Sequence, residues 1–238
     1  MDSANRNITV QFKQEYFNTR FQYDPLRFQV WEPVTAYIQQ KYVAQDARVL
    51  DLGAGYCDFI NYVKASEKYA VDVFDRLDEY ASDDVKTFKR SCNDLSPLGD
   101  DSLDVVFASN LFEHLTHDEL LETIAEVRRV LRPDGRLILL QPNFKYCYKT
   151  YFDDYTHLQV FTHLGMYDLL EPAPWPPAVG PLTRCPEQPH AWSSFRVRHC
   201  RASRGQGTLT TSTGDTGGCR EHPANAGSPS VGGTQGRT

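Results

Sequence analysis

The 238-residue sequence contains no run of about 18 apolar residues and so offers no candidate for a membrane-spanning helix. Its N-terminus lacks the apolar block of a signal peptide, because charged residues such as Asp2, Arg6 and Lys13 interrupt it. The six cysteines form no Cys-x-x-Cys pair and no Cys/His cluster with zinc-site spacing. These absences predict free thiols in a reducing cytoplasm, no metal site and no membrane partner.

Positive charge is also scarce. The formal net charge is −6, so the sequence does not favour a nucleic-acid-binding surface that works by neutralising phosphates. The length is enough for one α/β domain with a sizeable core and an additional segment.

The last third of the chain lacks the residues of a packed core. Lysine is absent after Lys149 and isoleucine after Ile138, while seven of the fourteen prolines fall within 172–189 and nine of the fifteen glycines within 205–238. Such a composition buries too little apolar surface to offset the entropy of ordering. We therefore expect a disordered tail over 172–238, following a helical part at 1–45 and a core at 46–171. The abrupt change suggests an aberrant, frame-shifted C-terminus; a genuine low-complexity tail is the alternative.

The most informative stretch is Val49–Asp58, where a short apolar run ends at a Gly-x-Gly turn. Helical spacing of apolar residues resumes after it, which predicts a buried strand joined to a helix. Without Cβ atoms at Gly53 and Gly55, a ligand can lie against the backbone beside the helix N-terminus. A dinucleotide fingerprint would place a third glycine at position 58, where this sequence has Asp58.

The segment Leu50-Asp51-Leu52-Gly53-Ala54-Gly55 resembles motif I of the class I S-adenosylmethionine-dependent methyltransferases. The resemblance extends over about residues 25–164 and implies S-adenosylmethionine as the cofactor, held by Asp51, Gly53, Gly55 and Tyr56. A nicotinamide-dependent dehydrogenase is the rival reading that Asp58 disfavours.

The remaining pattern predicts a Rossmann-like, doubly wound parallel sheet of the α/β class. Five strands are expected at 48–52, 69–73, 85–90, 103–108 and 136–140, alternating with helices that include one at 58–65. A long helix begins with a capping box formed by Thr116 and Glu119 and is stopped by Pro133-Asp134-Gly135. The last antiparallel strands of the seven-stranded family fold are expected to be missing.

Further cofactor contacts follow from these strands. Asp72 ends the second strand about twenty residues after the glycine turn, where such folds bind a ribose. The resemblance implies that Asp94 and its neighbours Asn93 and Leu95 read the adenine, although Cys92 is an alternative register. Asn110 follows the fourth strand and leads into the methyl-transfer cleft.

The sequence specifies fewer residues for binding the methyl acceptor than for binding the cofactor. His157 is the preferred general base, with Asp154 and Asn143 beside it as acceptor-binding candidates; a purely polar loop is the alternative. His114 is a second candidate base, although the resemblance assigns its Glu-His-Leu segment to packing. Tyr16 or Tyr23 either covers the cofactor or belongs to the core.

The predicted reaction is methyl transfer to an oxygen or nitrogen of a small-molecule or saccharide acceptor. The alternative is a non-catalytic protein of the same fold that binds a cofactor or a partner. Because a sheet without its final strands leaves an edge open, a homodimer is a further expectation.

Overall fold

The computed structural model describes Tyr16, Thr19 and residues 21–170, 177–178 and 199–200. The chain divides into two units, Met1–Arg204 and Gly205–Thr238, and every described residue belongs to the first.

A five-stranded sheet forms the centre of the described chain. Its strands pair in the order β3-β2-β1-β4-β5, and all four pairings are parallel. The strands are β1 Arg48–Leu52, β2 Glu67–Asp72, β3 Val85–Lys89, β4 Leu103–Ser109 and β5 Leu131–Leu140. The doubly wound α/β fold predicted from the sequence is confirmed.

Besides the helical residues Tyr16 and Thr19, the described part of the chain has six α-helices that connect or flank these strands. They are α1 Phe28–Tyr42, α2 Asp58–Tyr62, α3 Leu77–Tyr80, α4 His117–Val130, α5 Phe144–Cys147 and α6 His163–Leu170. Short 3-10 turns at Pro25–Arg27, Phe112–His114 and Tyr151–Asp153 complete the described helical structure.

Both faces of the sheet are covered, which explains why its central strands read as unbroken apolar runs. On one face, alternate residues such as Leu50 and Val106 pack with α4 and α6. On the other face, Val49 and Phe107 pack with α1 and α2, where Phe59 stacks on Phe107 at 3.9 Å between ring centroids.

Several predicted boundaries need correction. Helix α2 ends at Tyr62 rather than at residue 65. Strand β5 begins at Leu131 rather than at 136, because Leu131 already pairs with Leu103 and the next residues form a bulge before Arg136. The Pro133-Asp134-Gly135 sequence therefore lies within a strand, after the helix has ended.

The capping box at the start of α4 is present as predicted. The Glu119 N–H donates to Thr116 Oγ1 at 3.3 Å, and the Thr116 N–H donates to Glu119 Oε2 at 2.9 Å. This reciprocal pair satisfies two backbone donors that a helix N-terminus otherwise leaves without partners.

The region expected to be a disordered tail lies largely outside the described residues. Within it, β6 (Pro177–Ala178) and β7 (His199–Cys200) pair antiparallel in a separate two-stranded sheet. The expectations for disorder and for the missing final strands therefore stay predictions from composition. In the described part of the chain, every helix is too short or too polar to cross a membrane.

Candidate functional site

The site lies at the carboxyl ends of β1 and β4, where the strand order reverses direction. Strand β1 pairs with β2 on one side and with β4 on the other, so the connections leave in opposite directions from this point. Open parallel α/β sheets bind ligands in the crevice that such a reversal creates.

The glycine loop after β1 is held tightly against its surroundings. Gly53 and Gly55 have φ angles of +72° and +51°, a region that costs little only for glycine. A Cβ atom at Gly53 would lie 2.9 Å from Leu111 Cδ1, and one at Gly55 would lie 3.1 Å from Phe21 Cε1. Both positions therefore require glycine for conformation and for space.

The backbone N–H groups of the glycine loop donate hydrogen bonds to other groups of the same chain. Gly53 and Ala54 both donate to the Val71 carbonyl, at 2.8 and 3.2 Å, and the Cys57 N–H donates to the Ala54 carbonyl at 2.7 Å. The Gly55 N–H donates to Asp72 Oδ2 at 2.8 Å. The loop therefore does not offer these donors as a cradle for phosphate.

Asp72 connects this loop to the end of β2. Its second oxygen, Oδ1, accepts a hydrogen bond from the Phe74 N–H at 2.9 Å. A carboxylate can accept about four hydrogen bonds, so these two backbone contacts are compatible with ribose binding.

Three carboxyl groups surround the loop and interact electrostatically. Burial, followed by the nearby carboxylates of Asp58 and Asp72, raises the pKa of Asp51 well above its usual value. Burial also raises the pKa of Asp58, although Arg27 opposes this shift through an ion pair at 2.6 Å. The loop thus lies among three acidic groups, of which Asp51 favours its neutral form and Asp58 is paired with Arg27.

Aromatic residues of the N-terminal segment cover the loop. The Tyr56 hydroxyl donates to the Phe21 carbonyl at 2.6 Å, and the two rings stack at 5.1 Å. Tyr23 packs edge-on against Tyr56 at 5.2 Å. Tyr16 stacks on Phe21 at 5.8 Å and lies 5.7 Å from the His114 ring, so this segment reaches from the glycine loop to the acceptor side.

Asn110 occupies the start of the loop after β4. Its φ angle is +47°, and its N–H donates to the Leu140 carbonyl at 2.8 Å. The next residue, Leu111, packs against Gly53, so the loop after β4 contacts the glycine loop directly.

The residues predicted to bind adenine, Asn93, Asp94 and Leu95, make contacts with α4 and with Arg90. The Asn93 amide donates to Glu122 at 2.7 Å, and the Leu95 N–H donates to Glu126 at 3.0 Å. Asp94 pairs with Arg90 at 2.5 Å. These contacts do not bring the three residues together with the glycine loop.

The three predicted catalytic residues do lie together. Thr156 links two of them, since its hydroxyl lies 2.5 Å from Asp154 Oδ1 and 2.9 Å from His114 Nδ1. The rings of His114 and His157 are 4.9 Å apart. Burial and the neighbouring His157 lower the pKa of His114 to about 4, so His114 is neutral at physiological pH.

Asn143, the other acceptor-side candidate, has local structural contacts. Its carbonyl Oδ1 accepts the Lys145 N–H at 3.1 Å at the start of α5, and its amide lies 3.2 Å from His163 Nδ1.

Glu113 belongs to the same group, but the sequence analysis did not single it out. Its side chain is fully buried, and burial raises its pKa to about 8. An acid that directly follows a strand end and precedes a candidate histidine was the available sequence clue.

Comparison with known proteins agrees with this architecture. Residues 50–139 match the family model described as a methyltransferase domain. The match runs from the third residue of β1 to the next-to-last residue of β5, so it includes the glycine loop, Asp72 and the loop after β4.

Solved structures share the fold of the described residues. The Burkholderia thailandensis 1,6-didemethyltoxoflavin-N1-methyltransferase, solved with its substrate and S-adenosylhomocysteine, is 19% identical, with a TM-score of 0.59 over 86% of this chain and 92% of that one. The Pyrococcus horikoshii protein PH0226 is 20% identical, with a TM-score of 0.59 over 79% and 98%. Both support the class I, Rossmann-like methyltransferase fold.

A curated relative also matches, in part. The uncharacterized protein MJ0638 of Methanocaldococcus jannaschii is 28% identical over 115 residues, which cover 48% of this chain and 49% of that protein. The chain thus spans about half the length of this relative.

Proposed function

We propose that the chain is an S-adenosylmethionine-dependent methyltransferase that methylates an oxygen or nitrogen of a small-molecule or saccharide acceptor. The observation that carries the proposal is the glycine loop, which keeps its N–H groups within the chain and lies among three carboxyl groups. A dinucleotide would bring a pyrophosphate to this loop. S-adenosylmethionine has no phosphate and carries a net positive charge, so it fits the loop better.

Residues around the loop have assigned roles in this proposal. Asp72 accepts the ribose hydroxyls, and Asp51, which retains its proton, lies buried at the end of β1 beside the glycine loop. Tyr56 and Asn110 line the crevice on the glycine-loop and β4 sides. The proposed adenine contacts of Asn93, Asp94 and Leu95 require these residues to exchange their contacts with α4 or Arg90.

The cofactor, when bound, supplies a methyl group on a sulfonium that is already reactive towards nucleophiles. The protein therefore has to align the acceptor and exclude water rather than activate the donor. The N-terminal aromatic segment, with Tyr16 between Phe21 and His114, covers the space between the two sides of the site.

His157 and His114 are the proposed bases, and Asp154 orients His114 through Thr156. A base lowers the barrier when the acceptor is a hydroxyl, because the proton leaves as the new bond forms. Burial lowers the pKa of His114 to about 4, which keeps the ring neutral but makes it a weak base, so His157 is the preferred base of the two.

Two measurements test the proposal. Calorimetry with S-adenosylhomocysteine should give saturable binding to the folded chain, and a parallel titration with NADH should give none. Incubation with methyl-labelled S-adenosylmethionine and a panel of saccharide and phenolic acceptors should transfer label to at least one. Binding without transfer across the panel would support the non-catalytic alternative, and no binding at millimolar ligand would overturn the proposal.

Cellular location and pairing of two copies remain predictions. The cytoplasm is proposed from the sequence, and size-exclusion chromatography with light scattering tests for the homodimer.

A further inference from the structure

Three potential metal ligands meet on the acceptor side of the crevice. Glu113 and His114 lie in the 3-10 turn after β4, and His157 comes from the segment before α6. One ligand atom from each residue lies within 4.8 Å of the other two. Ligand atoms at about 2.0–2.2 Å from a tetrahedral ion lie about 3.3–3.6 Å apart, so coordination draws these atoms together by up to about 1.5 Å.

The Glu113 carboxylate is the first observation that points to a ligand. It is completely buried, and among the described residues neither oxygen accepts a hydrogen bond. Its own backbone N–H lies close enough to lower its pKa without forming a hydrogen bond. Buried acids are normally paired, hydrogen-bonded or bound to a metal, so this carboxylate lacks a partner that it requires.

The hydrogen bonds of His157 establish which ring nitrogen is available. Its Nδ1 lies 2.6 Å from the Tyr151 carbonyl oxygen. A carbonyl can only accept, so Nδ1 carries the hydrogen and Nε2 carries the lone pair.

The same reasoning applies to His114. Thr156 donates its single hydroxyl hydrogen to Asp154 Oδ1 at 2.5 Å, and therefore accepts from His114 Nδ1 at 2.9 Å. His114 Nε2 is consequently the lone-pair atom, as in His157.

We propose that Glu113, His114 and His157 bind a divalent transition-metal ion of the zinc class. Two neutral imidazoles and one carboxylate form a donor set typical of such ions, whereas Mg²⁺ and Ca²⁺ prefer oxygen ligands alone. The outer contacts also fit, because metal-binding histidines usually donate their second N–H to a carbonyl, a carboxylate or a group that relays to one. Tyr151 and the Thr156–Asp154 pair provide these acceptors.

Three protein ligands leave one coordination position of the metal open. That an acceptor oxygen occupies this position rests on the proposed methyltransferase function. Coordination would replace base catalysis by the two histidines, whose lone pairs then bind the metal: it lowers the pKa of an acceptor hydroxyl, and the proton leaves to solvent. The oxygen lone pair then forms the new C–O bond, while the electron pair of the S–CH₃ bond returns to sulfur and leaves a neutral thioether. Oxygen acceptors are accordingly favoured over nitrogen.

The test uses the full-length chain without a histidine tag, stripped with a chelator and titrated with Co²⁺ in the absence of cofactor and acceptor. We expect visible d–d absorption that saturates at one equivalent and is displaced by Zn²⁺. His157→Gln and Glu113→Gln should weaken binding at least 100-fold, and Thr156→Val about 10- to 100-fold. His117→Gln, at the exposed first position of α4 and outside the cluster, is the matched control and should bind as the parent does.

Circular dichroism establishes that each variant is folded. Absence of Co²⁺ absorption in the folded parent would overturn the proposal, as would equal binding by the parent and His157→Gln. S-adenosylhomocysteine binding separates the two hypotheses. If it persists while metal binding fails, only the metal site is wrong; if it fails while metal binds, the proposed cofactor function is wrong.

Discussion

Asp72 has a structural role and a proposed binding role at the same carboxylate. It accepts the N–H groups of Gly55 and Phe74, which fixes the glycine loop against the end of β2. The same group is proposed to accept the ribose hydroxyls. Asn at position 72 keeps one acceptor oxygen but not the charge, whereas Ala keeps neither. Comparing the two substitutions therefore separates the effect of losing the hydrogen bonds to the loop from the effect of losing the charge.

Asp72→Ala should weaken S-adenosylhomocysteine binding by roughly 1.5–3 kcal/mol, the scale of hydrogen bonds to a charged group. Asp72→Asn should lose less, because its amide oxygen can still accept one N–H group. Calorimetry gives both affinities, and Asp83→Asn, an exposed acid in the turn before β3, provides the control. Equal affinity in the parent and Asp72→Ala would exclude Asp72 from the ribose role.

Asp51 should make stability depend on pH. Burial raises its folded-state pKa well above the usual 3.8, so the folded state retains a proton that the unfolded chain releases. The raised pKa of Asp51 therefore stabilises the folded state fully below about pH 4. This stabilisation is lost as the pH rises towards the folded-state pKa of Asp51. Asp51→Asn does not titrate, and its free energy of unfolding relative to the parent should increase as the pH rises from about 4 towards the folded-state pKa of Asp51. Urea unfolding across this range measures the difference, and parallel pH profiles for the two proteins would contradict it.

At the residue scale, the sequence predicted those site residues whose role depends on their immediate neighbours in the sequence. Asp51, Gly53 and Asp72 follow from their places at strand ends and in a turn. The Glu113 cluster depends on His157, which is 44 positions away, so no short spacing pattern reveals it. The predicted absence of a metal site relied on such spacing.

At the element scale, the start of α4 was predictable and the start of β5 was not. The capping box is encoded by Thr116 and Glu119, only three residues apart. Strand β5 begins at Leu131 because Leu103 of β4 pairs with it, which is a contact between distant segments. The same limitation affected Asn93 and Leu95, since their acidic partners lie on α4, about thirty residues later.

The N-terminal segment and the glycine loop should behave as one packed unit. Gly55→Ala places a Cβ 3.1 Å from Phe21 in a backbone with φ of +51°, and should destabilise the protein by roughly 1–2 kcal/mol. It should also weaken cofactor binding. Phe21→Ala removes the steric conflict but not the conformational strain, so the double variant should recover only part of the loss.

Urea unfolding of both single variants and the double variant gives the coupling between the two positions. If the losses in free energy of unfolding of the two single variants add up to that of the double variant, Phe21 does not make the steric contact with the loop that the structure indicates. Gly165→Ala provides a comparison, since a Cβ there would have its nearest contact at 3.7 Å and the φ angle is not positive.

At the scale of the whole molecule, the site joins parts that are distant in the sequence. The glycine loop and Asp72 come from one half of the sheet, and Asn110 and Glu113 come from β4 in the other half. The N-terminal aromatic residues contact both sides, through Tyr56 and through His114. A ligand in this crevice therefore stabilises contacts across most of the described fold.

S-adenosylhomocysteine should consequently raise the temperature of unfolding of the whole domain in one cooperative step. At about one hundred times its dissociation constant, a ligand that binds only the folded state adds about 2.7 kcal/mol to the free energy of unfolding. For a domain of this size, each kcal/mol raises the midpoint by roughly 2–4 °C, so the expected shift is about 5–10 °C. Differential scanning calorimetry measures it, with NADH at the same concentration as the comparison. Because the loop amides are donated within the chain and three carboxyl groups surround them, NADH should produce no shift. An equal shift with both ligands would show that the loop tolerates a pyrophosphate and that its charge does not select the cofactor.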